Sequence, residues 1–216
     1  MKKILFLFLL LFLNLAGCDQ PKDDASNEKD NSIDKKMVDS NTNLKAIFEG
    51  NHEAKIHLIV DESLTCGHCA DFHKNVYPDL KKEFIDTNLI KIEFRSFPLD
   101  MAALNASKIA HCKNDGDSKI LHFLFEKQSE WMGKASTVKE INKNLQKYVK
   151  KNMTFYNIQW ENCINDKKIE DFILEDRINA VKKFNLNATP TLIINNKKFD
   201  KPLNYKNLKK TLKKLI

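Results

Sequence analysis

Two cysteines separated by two residues are the part of this chain best suited to chemistry. Cys66 and Cys69 stand in the stretch SLTCGHCADFH, with Gly67 and His68 between them. Proteins use this spacing for reversible disulfide exchange, for metal binding and for structural cross-links. The pair alone does not distinguish these uses, so the surrounding sequence has to decide.

Disulfide exchange requires one cysteine to ionise near neutral pH, because the thiolate and not the thiol is the nucleophile. Apolar residues recur at three- and four-residue spacing after the motif, which predicts a helix that begins there. Cys66 would then lie at the N-terminus of this helix, where unpaired N–H groups and the helix dipole favour a negative charge. His68 is positioned to add a positive charge or a hydrogen bond to the same sulfur.

Strands and helices alternate along the chain around the motif. Ile56–Val60 is an apolar run typical of a strand, residues 89–94 alternate like a second strand, and Thr191–Ile194 predicts a third. Residues from about 104 to 184 are helical in pattern, and Pro78 is expected to divide the first helix. A short edge strand and a lysine-rich amphipathic helix follow, and the apolar face of that helix carries Leu208, Leu212 and Leu215.

The N-terminus has the composition of a secretory signal, with two lysines, a short apolar run and then small residues. The apolar run is too short for a membrane span of about 20 residues. Leu15–Cys18 resembles the lipobox of bacterial lipoproteins, which implies lipidation of Cys18; an ordinary signal peptide with a chance cysteine is the alternative. Asp19 then implies retention at the inner membrane, by the sorting rule of Gram-negative lipoproteins. The polar residues 19–43 are expected to form a flexible tether.

The formal net charge of +7 owes much to lysines between Lys197 and Lys214. Because these lysines share a helix with an apolar face, they are typical of a solvated helix surface, and no nucleic-acid partner is expected.

Three stretches carry a resemblance to the DsbA-like branch of the thioredoxin superfamily: SLTCGHCADFH, KIEFRSFPLD and NATPTLIIN. The resemblance covers about residues 44 to 216 and implies an α/β, thioredoxin-like fold with an inserted helical domain. The expected organisation is a signal peptide over 1–18, a tether over 19–43, a thioredoxin-like domain over 44–103 and 185–216, and a helical domain over 104–184.

The resemblance implies a role for each motif residue. Cys66 is the exposed, attacked sulfur, and Cys69 is the shielded resolving cysteine that completes the redox-active disulfide. Pro190 takes the cis form beside the pair, and the backbone of Thr189 is presented for pairing with an extended substrate chain. His68 tunes the thiolate, and neither a cofactor nor a metal is expected.

The remaining cysteines are even in number once Cys18 is set aside. Some relatives in this branch carry a second pair in the inserted domain, so the resemblance implies a structural disulfide between Cys112 and Cys163. Two buried free thiols are the alternative.

One position departs from the pattern of the family. Members usually carry a buried acid six residues before the first cysteine, and this chain has Val60 there. By strand alternation Glu62 shares the face of Val60 and Asp61 points away. Glu62 or a water molecule is expected to accept the proton of the inner thiol, and the alternative is that both acids face solvent.

The resulting hypothesis is a periplasmic thiol:disulfide oxidoreductase that donates disulfide bonds to secreted proteins. The resemblance implies reduced secreted proteins as substrates, a membrane quinone-linked thiol oxidase for re-oxidation, and attachment to the inner membrane through lipidated Cys18. A disulfide isomerase or reductase of the same fold is the first alternative. A non-catalytic scaffold and a copper metallochaperone are further ones, the latter with His68 and His73 beside the cysteines. Outside that alternative, His73, His57, His111 and His122 are interpreted as structural.

Overall fold

The structure of this protein is a computed structural model that describes residues 44–216. The predicted signal peptide, the lipidated Cys18 and the tether over 19–43 lie outside the described residues. Within residues 44–216 no helix is long and apolar enough to cross a membrane.

The described chain contains five strands and nine α-helices. The strands are β1 Ile47–Gly50, β2 Ile56–Glu62, β3 Ile90–Ser96, β4 Thr191–Ile194 and β5 Lys197–Lys198. The helices are α1 Gly67–Asn75, α2 Tyr77–Leu80, α3 Met101–His111, α4 Lys119–Glu126, α5 Gln128–Met132, α6 Val138–Asn152, α7 Trp160–Asn165, α8 Lys167–Phe184 and α9 Tyr205–Leu212. A π-helical turn, Lys81–Ile85, follows α2, and a 3₁₀ turn, Thr154–Tyr156, follows α6.

The strands form one mixed sheet in the order β1-β3-β2-β4-β5. β2 and β3 are parallel, as expected for strands joined through a helical connection, and the other neighbours are antiparallel. The central strand β2 therefore runs between β3 and β4, and its C-terminal end leads directly into the cysteine motif.

Helices cover both faces of the sheet. Leu58 and Val60 of β2 belong to the main apolar core, together with residues of α1, α4, α6 and α9. Ile59 points to the other face, where it clusters with Phe97, Ala180 and Leu186. Because successive side chains of a strand point to opposite faces, the same alternation places Glu62 with Val60 and Asp61 with Ile59.

The predicted strands and helices agree with the structure in order, with two differences. β1 was not apparent from the sequence, because a four-residue edge strand carries too few alternating residues to stand out; its backbone pairs antiparallel with β3. The C-terminal helix ends at Leu212, so the placement of Leu215 on its apolar face is wrong. Leu208 and Leu212 are fully buried, whereas Leu215 lies beyond the helix and is 47% exposed.

Candidate active site

Cys66 and Cys69 lie at the start of α1, and they differ in exposure. Cys66 is the N-cap residue of the helix and is partly exposed, while Cys69 is one turn further along and fully buried. Both are free thiols in this structure. An external disulfide or thiol can therefore reach the sulfur of Cys66 but not that of Cys69.

The loop before β4 lies against the sulfur of Cys66. The Cys66 thiol donates a hydrogen bond to the carbonyl oxygen of Thr189 at 3.4 Å, and the Thr189–Pro190 peptide bond is cis. Two segments separated by more than 120 residues in sequence thus meet at one sulfur.

The pKa values of the Cys66 and Cys69 thiols are shifted in opposite directions. A hydrogen bond from Cys69 lowers the pKa of Cys66 to about 5, against the effect of burial, with further help from the side chain of Thr189 and the backbone N–H groups of Cys69 and His68. Burial raises the pKa of Cys69 far above its ordinary value, and the hydrogen bond to Cys66 and the charge of Glu62 raise it further. At neutral pH the pair therefore consists of one thiolate and one thiol.

Gln128 fixes the backbone that carries Cys66. Its side-chain amide is buried and donates to the carbonyl oxygens of Leu64, at 2.8 Å, and of Cys66, at 3.0 Å. Thr65 between them donates to Asp100 at 2.8 Å, and Asp100 in turn caps the N-terminus of α3. Gln128 of α5 and the N-cap residue of α3 therefore hold the loop that carries Cys66 in place. The sequence did not reveal these contacts.

His68 lies on the surface, beside a groove next to the redox pair. Its ring makes no hydrogen bond to Cys66 in the described part of the chain, so the effect of this residue on the thiolate comes from its backbone N–H. The groove has a volume of about 500 Å³ and is lined by His68, Asp71, Phe72, Asn75, Val76, Thr189, Pro190, Leu203, Asn204 and Tyr205. An extended chain bound there would lie between the exposed spacer residue and the cis-proline loop.

The acids that follow Val60 are both buried, which excludes the alternative that they face solvent. The Glu62 side chain is 2% exposed and its Oε2 lies 2.7 Å from Nε2 of His73. Burial raises its pKa well above the usual range, and the negative charge of Cys66 raises it further. Asp61 is equally buried on the opposite face of the sheet, toward α8.

The other two cysteines are joined in this structure by a disulfide. Cys112 is the C-cap residue of α3 and Cys163 lies in α7, with their Cα atoms 5.2 Å apart. The two cysteines are 51 positions apart, and both lie within the predicted helical insertion, residues 104–184. Neither belongs to the motif or the helix that carries Cys66 and Cys69.

A metal centre has no support in the geometry of the described residues. Within residues 44–216 no group of three or more histidine, cysteine, aspartate or glutamate side chains is arranged to hold a metal ion. His73, which the metallochaperone alternative would require beside the cysteines, instead bonds to Glu62 and His122.

Comparison with known proteins places these features in a family. The sequence profile of the family described as thioredoxin matches residues 42–214. A curated protein of Rickettsia bellii named "Putative protein-disulfide oxidoreductase" is 29% identical over 147 residues, which are 68% of this chain but only 55% of that protein. The chain thus spans about half the length of this relative. Disulfide bond formation protein D of Bacillus subtilis is 25% identical, over 76% of this chain and 74% of that protein.

Solved structures agree with the sequence comparison. The crystal structure of Wolbachia pipientis alpha-DsbA1 is 30% identical and superposes with a TM-score of 0.67, covering 79% of this chain and 90% of that one. A protein-disulfide isomerase from Novosphingobium aromaticivorans superposes with a TM-score of 0.70 at 18% identity, over 80% of this chain and 97% of that one, a likeness of fold alone.

Proposed function

Because the chain belongs to the DsbA-like branch of the thioredoxin superfamily, we propose that it is a thiol:disulfide oxidoreductase that donates disulfide bonds to secreted proteins. The observation that carries this proposal is the contrast between the two thiols at the start of α1. Cys66 is reachable and acidic, and Cys69 is buried and weakly acidic.

In the proposed reaction the oxidised pair accepts two electrons from a substrate dithiol. A substrate thiolate attacks Sγ of Cys66, the Cys66–Cys69 bond breaks, and its electron pair goes to Sγ of Cys69, which takes up a proton. The second substrate thiol loses its proton and attacks the substrate sulfur of the mixed disulfide. Cys66 leaves as a thiolate, so the products are a substrate disulfide, the Cys66 thiolate and the Cys69 thiol.

The acidity of Cys66 favours this direction over reduction. A stabilised thiolate is a good leaving group, and it lowers the free energy of the reduced pair relative to the disulfide. Each pKa unit below ambient pH corresponds to about 1.4 kcal/mol, or about 30 mV of reduction potential for a two-electron couple. A pKa near 5 therefore makes the oxidised form a strong acceptor of electrons.

The groove beside His68 and Pro190 is the proposed site for the substrate chain. The carbonyl oxygen of Thr189 faces the sulfur of Cys66, so a strand paired with this loop would bring its own cysteine to the reactive atom. Reduced secreted proteins are the proposed substrates. The proposal includes a periplasmic location, a lipid anchor at Cys18 and re-oxidation by a membrane quinone-linked thiol oxidase, all of which rest on the sequence resemblance.

The equilibrium constant of the Cys66–Cys69 couple against glutathione tests the direction of the reaction. We expect a potential clearly more oxidising than that of thioredoxin, which is about −270 mV. Cys66→Ser should abolish oxidation of a reduced model protein. A potential as low as that of thioredoxin would contradict the oxidase and favour a reductase of the same fold.

The isomerase and metallochaperone alternatives have their own readouts. An isomerase would recover activity from scrambled ribonuclease at a rate comparable with its oxidation of the reduced enzyme, whereas an oxidase would be slow with the scrambled form. Copper titration of the reduced protein should give no stoichiometric, tight complex; such a complex in a protein without oxidase activity would favour the chaperone.

A further inference from the structure

Four titratable side chains form a continuous hydrogen-bonded chain that begins beneath the cysteine pair. Oε2 of Glu62 lies 2.7 Å from Nε2 of His73, and Nδ1 of His73 lies 3.0 Å from Nδ1 of His122. Nε2 of His122 then lies 2.6 Å from Oε1 of Glu49. Every link is within hydrogen-bond distance, so protons can pass along the chain without displacement of any heavy atom.

The two ends of this chain differ in their access to water. The side chains of Glu62 and His73 are 2% and 6% exposed, whereas those of Glu49 and His122 are 14% and 24% exposed. The outer end opens into a surface cleft of about 490 Å³ that shares no lining residue with the groove beside Pro190. The chain therefore connects the buried side of the redox pair with solvent at a separate place on the surface.

The inner end is placed to exchange a proton with Cys69. Oε1 of Glu62 is buried and makes no hydrogen bond within residues 44–216, which leaves one carboxylate oxygen uncommitted. The charge of Glu62 raises the pKa of Cys69, so the carboxylate and the thiolate oppose one another. When Cys69 leaves the disulfide as a thiolate, a proton on Glu62 is therefore driven toward its sulfur.

With both imidazoles neutral, two arrangements of protons satisfy all three hydrogen bonds of the chain. In the first, Glu62 is a neutral acid that donates to His73, His73 donates to His122, and His122 donates to the Glu49 carboxylate. In the second, every donor and acceptor is reversed, so Glu49 is the neutral acid and Glu62 the carboxylate. Both imidazoles are neutral in each arrangement, and the shift of three protons moves one net proton between the two glutamates.

The electrostatics of the resting protein favour the first arrangement. Burial raises the pKa of Glu62 well above its usual range and lowers that of His73 to about 3. Hydrogen bonds from His122, Ser118 and Tyr77 outweigh burial and lower the pKa of Glu49 to about 2. A proton is thus stored beneath the cysteines, and the negative charge lies at the exposed end.

We propose that Glu62, His73, His122 and Glu49 form a proton relay that carries the proton exchanged by Cys69 to and from the surface cleft. The proposal rests on the proposed function. During substrate oxidation Cys69 takes a proton from Glu62, water then supplies a proton at Glu49, and the relay carries one proton inward to restore Glu62. During re-oxidation the relay first shifts to the second arrangement, which leaves Glu62 as a carboxylate while one proton leaves through Glu49. The Cys69 thiol then loses its proton to Glu62 as its sulfur attacks the Cys66 sulfur of the mixed disulfide with the oxidant, whose own sulfur leaves as a thiolate.

Other charged and titratable groups around the relay set the pH range over which it works. They are Cys66 and Cys69 on α1, Tyr77 on α2, Lys81 and Asp86 around the π-helical turn, and Asp117, Ser118 and Lys119 at the start of α4. Tyr77 donates to Oε2 of Glu49 at 2.6 Å, and Lys81 lies 3.8 Å from the same oxygen. The outer carboxylate is therefore held ionised by its neighbours.

His122→Phe is the variant that tests the relay. Phenylalanine keeps a ring to stack on Tyr77, whose centroid lies 4.4 Å from that of His122, but it removes both nitrogens. The oxidised protein is reduced with dithiothreitol, and the rate constant is measured as a function of pH in H₂O and D₂O. We expect the rate constant to fall about tenfold or more, with a changed solvent isotope effect and pH profile. The equilibrium constant against glutathione should stay at the wild-type value.

His111→Phe is the matched control, because His111 also contacts an aromatic ring but is buried outside the relay. It should react at the wild-type rate. In His122→Ala, whose site opens to the cleft, added imidazole should restore the rate; this variant also keeps the test decisive if the phenylalanine variant does not fold. The relay would be overturned if a folded His122 variant kept the wild-type rate constant and isotope effect. It would also be overturned if the His111 control lost as much of the rate constant as the His122 variant.

The readout separates this inference from the proposed function. Reduction by dithiothreitol reports on the Cys66–Cys69 chemistry whether or not the protein donates disulfides to other proteins. A wild-type protein that reacts with dithiothreitol but oxidises no protein substrate would contradict the function alone. A normal oxidase with an unaffected His122→Phe variant would contradict the relay alone.

Discussion

The acidity of Cys66 arises from its partner in the motif more than from the spacer residue His68. The hydrogen bond from Cys69 is the largest cause of the lowered pKa, followed among the favourable contributions by the side chain of Thr189. The His68 ring is exposed and makes no hydrogen bond to the sulfur within the described residues, so only the backbone of this residue stabilises the thiolate. The side chain at position 68 can therefore be changed with little effect on the stability of the Cys66 thiolate.

This separation gives a pair of variants with different outcomes. Cys69→Ala removes the leading hydrogen bond and should raise the pKa of Cys66 from about 5 by roughly one unit or more. His68→Ala leaves the backbone N–H in place and should change the pKa of Cys66 by much less. The rate of alkylation by iodoacetamide against pH measures both, because only the thiolate reacts and the rate falls as pH drops through the pKa. An equal shift in the two variants would show that the His68 side chain matters after all.

The sequence could show the reactive residues but not the groups around them. The two cysteines, Thr189 and Pro190 stand in short motifs whose spacing is visible without a structure. Glu62 could only be suggested from strand alternation, since its burial depends on α1 and α4 packing over that face. Gln128 and Glu49 reach the site from distant elements, and no local pattern marks either residue as part of it.

At the scale of elements, helices α3, α4 and α5 supply residues that hydrogen-bond around the Cys66–Cys69 pair. α4 supplies His122 to the buried chain, α5 supplies Gln128 to the cysteine loop, and α3 supplies its N-cap Asp100 to Thr65. The main apolar core also runs from the sheet into α4, α6 and α7 without interruption. The residues of the predicted thioredoxin-like domain and of the predicted helical insertion thus share one apolar core.

The disulfide between α3 and α7 is expected to stabilise the helices of the insertion without taking part in the reaction of Cys66 and Cys69. Cys112→Ala/Cys163→Ala removes a link across 51 residues and should lower the free energy of unfolding by roughly 2–4 kcal/mol in the chain-entropy account. Urea unfolding measures the loss, and mapping of peptides without reductant should show the two cysteines linked. The glutathione equilibrium of Cys66–Cys69 is the control and should not change. Alkylation of both cysteines in the unreduced protein would contradict the link.

The periodicity of apolar residues predicted most strands and helices, because these elements pack against a core. It failed for segments that bury few side chains. β2 and β3 carry long buried apolar runs, and the first helix divides between Asn75 and Tyr77, directly before Pro78. β1 is a short edge strand whose position depends on backbone pairing with β3, so its sequence carries little signal. The last turn of the C-terminal helix has no core to cover beyond Leu212, and the pattern at Leu215 was therefore misleading.

Across the whole molecule, the two faces of the sheet bury acids in different ways. On the face of α1 and α4, Glu62 is linked by hydrogen bonds to histidines and so to the surface. On the face of α8, both carboxylate oxygens of Asp61 are buried and accept no hydrogen bond within residues 44–216. Burial raises the pKa of Asp61 to about 7, against the attraction of Arg95 and with the repulsion of Asp176, whose own pKa burial also raises to about 7.

These raised values predict a loss of stability toward alkaline pH that is centred on Asp61. The folded protein binds a proton on this carboxyl up to about pH 7, whereas the unfolded chain releases it near the ordinary aspartate pKa of 3.8. The stability that the neutral acid provides is therefore complete below that value and is lost as pH rises through about 7. Asp61→Asn keeps the shape of the side chain and abolishes its ionisation. The variant should be more stable than wild type by roughly 1–3 kcal/mol at mildly alkaline pH, because it avoids the cost of ionising a buried carboxyl, and by much less at acidic pH.

Urea unfolding of wild type and variant at several pH values measures this difference directly. Comparison of the two proteins cancels the opposing contribution of His73 and His111, whose lowered pKa values destabilise the fold toward acid in both. Asp200→Asn, at an exposed aspartate, is the matched control for the replacement of one aspartate by asparagine, and the Asp61→Asn difference is compared with it at each pH. A difference between Asp61→Asn and wild type that does not grow with pH would show that Asp61 is already ionised in the folded protein. Its charge would then be balanced by Arg95 on the neighbouring strand β3.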